Sequence, residues 1–84
     1  MIERADLERS IRDFLREELR TDADGLDLTD PLVTSGLLDS AGLVRLAALI
    51  ERETDRLIPD RDLTPEHFDS IAKILAYIEA TAAG

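Results

Sequence analysis

Residues 36–53 read GLLDSAGLVRLAALIERE, and the junction inside this stretch decides the fold. Turn-forming residues give way at Asp39 and Ser40 to a run in which Leu43, Leu46, Ala47 and Ile50 recur at helical spacing. The run from Ser40 to about Glu53 is therefore predicted as a helix. Val44, Ala48 and Leu49 widen its apolar arc beyond the ~100° that one core contact uses, which leaves a second apolar surface to be accounted for. If Ser40 only capped this helix, its hydroxyl would accept a backbone N–H one turn on, and alanine there would cost about 1 kcal/mol.

Upstream, TDADGLDLTDPLVTSGLL (residues 21–38) is rich in Gly, Pro, Asp, Ser and Thr, which favour turns. Leu26, Leu28, Leu32, Val33, Leu37 and Leu38 supply apolar anchors, so this long loop is expected to lie pinned across a core rather than to be disordered. Further upstream, Leu7, Ile11, Phe14, Leu15 and Leu19 form one helical stripe with Asp6 as its candidate N-cap. The opposite face mixes charges and includes a Glu8–Arg12 pair at i,i+4.

Downstream, Pro59 in LIPD breaks the second helix. LTPEHFDS (residues 63–70) offers Thr64 as N-cap, Pro65 at the first helical position and Phe68 as core anchor. His67 is read as a surface residue of that short helix. Asp69 or Ser70 can cap the last helix, whose stripe is Ile71, Ile74, Leu75, Ile78 and Ala82. The expected fold is all-α: a small four-helix bundle, three helices longer and one short, with a long first loop. At 84 residues it is expected to be a single domain spanning 1–84.

Composition narrows function. With 44% hydrophobic and 35% charged residues, the chain reads as a soluble globular protein rather than a disordered one. Its net charge of −9 argues against nucleic acid as a partner and for basic protein surfaces. Residues 21–39 carry five acids (Asp22, Asp24, Asp27, Asp30, Asp39) and no base, whereas Arg45, Arg52 and Arg56 balance Glu51, Glu53 and Asp55. No run is long and apolar enough for a membrane span, and the N-terminus lacks signal-peptide character, so a cytoplasmic monomer is expected. The absence of cysteine excludes disulfides and a protein-borne thiol, and one histidine is too few for a histidine-based metal site.

Ser40 then has three readings. It is a cap, a nucleophile or a point of covalent modification. A nucleophile needs a nearby base and a strand–turn–helix setting, which this sequence lacks. A phosphate ester would be favoured electrostatically at a helix N-terminus.

DPLVTSGLLDSAGLVRLAALIERE followed by IPDRDLTPEHFDSIAKILAYI resembles the acyl carrier protein family, including peptidyl and D-alanyl carriers. The likeness covers nearly the whole chain and rests on Gly36-Leu37-Leu38-Asp39-Ser40, Val44, Leu46, Ile58-Pro59-Asp60, Phe68 and Ile71. It implies that Ser40 receives a phosphopantetheine arm from coenzyme A through a phosphopantetheinyl transferase, with Leu38, Asp39, Ala41 and Gly42 forming the flanking recognition segment. The arm's thiol would hold an acyl or aminoacyl group as a thioester. A loading ligase or transferase and downstream synthase enzymes would be the partners, and the chain itself would catalyse nothing.

Three departures qualify the likeness. Ala41 and Gly42 stand where fatty-acid carriers usually have leucine and an acid, an order closer to D-alanyl and stand-alone carriers. Arg45, Arg52 and Arg56 fall at i, i+7 and i+11 on one helical stripe, so Arg45, Leu49 and Arg52 are docking candidates for a partner with a partly apolar or acidic surface. Thr54 replaces a common phenylalanine, and Leu57 is the candidate to supply the lost apolar contact. The competing function is an acidic helical adaptor or inhibitor without covalent cargo.

Overall fold

The computed structural model describes residues 2–19 and 25–82. Asp22 and Asp24 of the acidic loop lie outside them. Four α-helices are seen among the described residues, α1 (Arg4–Leu19), α2 (Ser40–Thr54), α3 (Pro65–Phe68) and α4 (Ile71–Ala82), with a 3₁₀ turn at Asp60–Asp62 and no strand. The expected all-helical bundle is therefore observed. α1 packs on α2 and α4, and α3 packs on α4.

Burial follows the apolar periods. Leu7, Ile11 and Leu15 of α1, Leu43, Leu46, Ala47 and Ile50 of α2, and Ile71, Ile74 and Leu75 of α4 form one core with Leu32, Leu38, Ile58 and Phe68. Phe14, Leu19 and Ile78 lie half-buried at its edge. The Glu8–Arg12 pair is present at 3.0 Å.

Helix ends depart from expectation more than helix faces do. α1 begins at Arg4, so Asp6 sits within its first turn rather than at the cap, and the Leu7 N–H donates to the Glu3 carbonyl at 2.9 Å. Thr64 holds the cap position of α3, but its hydroxyl makes no capping bond and is buried without a partner among the described residues. Its carbonyl serves instead, accepting from the His67 and Phe68 N–H groups at 3.0 and 2.9 Å. Of the two cap candidates for α4, Ser70 fulfils the role, its Oγ accepting from the Lys73 N–H at 3.1 Å.

Leu57 does not replace the missing aromatic at position 54. It is 89% exposed, because Asp55 ends α2 in the left-handed region (φ 55°) and turns the chain outward. Thr54 instead donates its hydroxyl to the Ile50 carbonyl at 2.7 Å. A recess of about 440 Å³ remains beside Thr54, with Ile2, Leu7, Leu75 and Ile78 among its walls. Leu57→Ser should consequently change stability by less than about 0.5 kcal/mol in a thermal melt. A larger loss would place Leu57 in the core after all.

Candidate functional site

The mouth of α2 is set by Asp39. Its backbone is extended (φ −86°, ψ −179°), its Oδ1 accepts the Gly42 N–H at 2.7 Å, and its carbonyl accepts the Leu43 N–H at 2.8 Å. Asp39 is thus the N-cap, which removes the capping reading of Ser40 and leaves the other readings of that residue open. Ser40 is the first helical residue and is exposed.

This leaves the Ser40 hydroxyl with nothing structural to do. The chain has four serines, all among the described residues. Ser10 Oγ donates to Glu53 at 2.8 Å, Ser35 Oγ donates to the Pro31 carbonyl at 2.7 Å, and Ser70 is buried and caps α4. Among the described residues, the Ser40 hydroxyl alone of the four has no hydrogen-bond partner.

The flanking residues divide between packing and display. Leu38 is buried, and Gly42 is packed so closely on it that a Cβ at position 42 would meet Leu38 Cδ1 at 2.7 Å. Gly42 is thereby the residue that lets the loop lie against the helix. Leu37 and Val44 remain 43% and 58% exposed, and Ala41 is also exposed. These three exposed apolar residues form a rim along the chain on either side of Ser40.

The loop that delivers Ser40 is held by a residue the sequence offered only as a helix cap. Asp69, at the junction of α3 and α4, accepts the Val33 and Thr34 N–H groups on Oδ1 at 2.8 and 2.9 Å and the Thr34 hydroxyl on Oδ2 at 2.8 Å. The Thr34 N–H bond holds its carboxyl below the usual range against the opposing effect of partial burial, with the Thr34 hydroxyl, the Val33 N–H and Lys73 adding to the lowering. Gly36 turns the loop at φ 84°, a conformation that favours glycine.

The three arginines do not act as one stripe. Arg45 pairs with Glu18 of α1; that hydrogen bond lowers the Glu18 carboxyl and raises the guanidinium. Arg56 lies past the left-handed Asp55 and donates to Thr81 Oγ1 of α4 at 2.9 Å. Leu49 and Arg52 do meet, together with Phe14 and Glu17, along a shallow groove between α1 and α2. Leu46, Ile50, Ile58, Phe68 and Ile71 are all packed into the core.

His67 is half-buried, and its ring stacks beside Tyr77 at 4.9 Å. The Tyr77 hydroxyl, which donates to Asp62 at 2.6 Å, is pushed up to about 12 by burial and by that bond. Neither group faces Ser40 in any hydrogen bond. No described helix is long and apolar enough to cross a membrane.

Residues 9–78, from within α1 to Ile78 of α4, match the model of the phosphopantetheine attachment site family. The chain belongs to that family. Phosphopantetheine attachment domains carry their prosthetic group covalently and serve as carriers, so the chain is a phosphopantetheine-bearing carrier. An exposed, unpartnered hydroxyl at a helix N-terminus fits such an attachment. Comparison with curated proteins gives no match.

Proposed function

We propose that Ser40 is the attachment residue and that residues 1–84 form a single, monomeric, cytoplasmic carrier domain with no catalytic residues of its own. The observation that carries this reading is the Ser40 hydroxyl, exposed and unpartnered while Asp39 supplies the cap. In the loading step a bond forms between Ser40 Oγ and the phosphorus of coenzyme A that bears the pantetheine. The pyrophosphate P–O bond breaks, the adenosine bisphosphate leaves with its electron pair, and the hydroxyl proton passes to a base of the transferase.

The attached group supplies a terminal thiol able to hold an acyl or aminoacyl cargo as a thioester. The chain's own residues would hold the phosphodiester at the mouth of α2. Among the described residues no hydrogen bond is made by the Ser40 and Ala41 N–H groups at the positive end of α2, an end that would favour the negative charge of a phosphodiester on Ser40. Gly42 and Leu38 fix the loop beneath it. The rim of Leu37, Ala41 and Val44 provides apolar contact for a transferase, a loading ligase and downstream synthase enzymes. Among the charged candidates, Arg52 beside Leu49 suits a partner, whereas Arg45 is already neutralised by Glu18.

Incubation with coenzyme A and a broad-specificity phosphopantetheinyl transferase should raise the intact mass by one phosphopantetheinyl group. A folded chain that takes up nothing would instead favour the acidic adaptor.

A further inference from the structure

From the bonds that join the α3–α4 junction to the first loop, we infer that Asp69 is a positioning residue for Ser40, setting the loop in the form a transferase recognises. The inference rests on Ser40 as the attachment residue. Asp69 is itself fixed, since it is the C-cap of α3 and its N–H donates to the Pro65 carbonyl at 3.1 Å. Its carboxylate then crosses to a segment 35 residues earlier and takes three hydrogen bonds from Val33 and Thr34.

Those two residues begin a closed turn. The Gly36 N–H donates to the Val33 carbonyl at 3.0 Å, and the Leu38 N–H returns to the Leu32 carbonyl at 2.8 Å. Leu38 is the residue against which Gly42 packs, and Asp39 follows it directly. The path from Asp69 to Ser40 thus runs through Val33–Thr34, the turn, Leu38 and the cap, with a hydrogen bond, a packed contact or a peptide link at each step.

The carboxylate is separable from the fold. Without it, the Leu32 N–H still donates to the Asp69 carbonyl at 2.7 Å, the Ala72 N–H still donates to the Leu28 carbonyl at 2.9 Å, and Leu32 and Leu38 remain buried. Asp69→Ala should therefore keep the loop on the bundle while freeing its tip. Transfer chemistry is sensitive to such displacement, because a shift of about 1 Å at a reacting group can cost up to about 100-fold in rate.

The test uses the full apo chain, coenzyme A at saturation and the same broad-specificity transferase. Loading is followed by intact mass, with kcat and KM for the carrier resolved, and amide hydrogen exchange is read in parallel. Asp69→Ala should lower kcat/KM by about tenfold and speed exchange at Val33, Thr34 and Leu38, leaving Ile74 and Leu75 in α4 unchanged. Asp69→Asn, whose side-chain oxygen still accepts the two backbone N–H groups, should fall between Asp69→Ala and wild type.

Wild-type kcat/KM in a folded Asp69→Ala chain would overturn the inference. So would exchange that rises equally in α4, which would mark a merely structural role. If Asp69→Ala does not fold, Asp69→Asn and Thr34→Val decide: slower loading at an unchanged melting temperature supports the inference, and unchanged loading overturns it. A wild-type chain that takes up no group removes the attachment reading and this one with it. A wild type that loads beside an equally good Asp69→Ala removes this one alone.

Discussion

Ser40→Ala should abolish the mass gain completely and leave the fold as stable as before. The first half follows from chemistry, since alanine has no oxygen to form the phosphodiester. None of the other serines can substitute. Ser10 and Ser35 have their hydroxyls in hydrogen bonds, and Ser70 is buried.

The second half follows from the capping geometry. If Ser40 were the cap, alanine would cost about 1 kcal/mol, which for a domain of this size lowers the melting temperature by about 4–8 °C. Asp39 holds that role, and alanine is a better helix former than serine, so the expected change is within about 0.5 kcal/mol. Asp39→Ala should show the destabilisation that Ser40→Ala lacks. Intact mass and thermal melts on the two variants separate attachment from capping. Residual loading of Ser40→Ala, or a melt lowered as far as that of Asp39→Ala, would refute the assignment.

That pair of neighbours also shows where the sequence stops being informative. Both Asp and Ser are good caps, and their order gives no means of choosing. The choice is made by one backbone transition, at which Asp39 stays extended and Ser40 turns helical. Faces were legible because burial repeats with the helix period: the stripes of α1 and α4 could be read in advance at Leu7, Ile11 and Leu15 and at Ile71, Ile74 and Leu75.

Boundaries and distant pairings were not legible in the same way. Placing Arg56 on a stripe with Arg45 and Arg52 meant extending the helix past Asp55, whose left-handed conformation no glycine or proline announced. Leu57 leaves the core for the same reason. The clamp at Asp69 joins residues 35 apart in the chain, and nothing periodic connects them. Its one local sign was that Asp69 and Ser70 both looked like caps although α4 needs only one. The residue left over from capping is the one free to reach the loop.

Phe68→Ala should cost about 3–5 kcal/mol, among the largest losses expected of a single truncation in this chain. The total stability of 84 residues is on the order of 4–13 kcal/mol, so the loss is a large fraction of it and, at the lower end of that range, unfolds much of the population. Phe68 is fully buried and packs against Tyr77 with ring centroids 5.4 Å apart. It is also the only buried residue of α3, a helix of four residues, far too short to persist without tertiary anchoring. Asp69 follows Phe68 directly, so losing the anchor releases the platform from which the carboxylate holds the Ser40 loop. Helical signal by circular dichroism and loading by mass should therefore fall together in Phe68→Ala. In Asp69→Ala, loading should fall while helical signal stays. A Phe68→Ala chain that melts within about 1 kcal/mol of wild type would mean that α3 is held by its backbone alone and that the route from core to serine runs elsewhere.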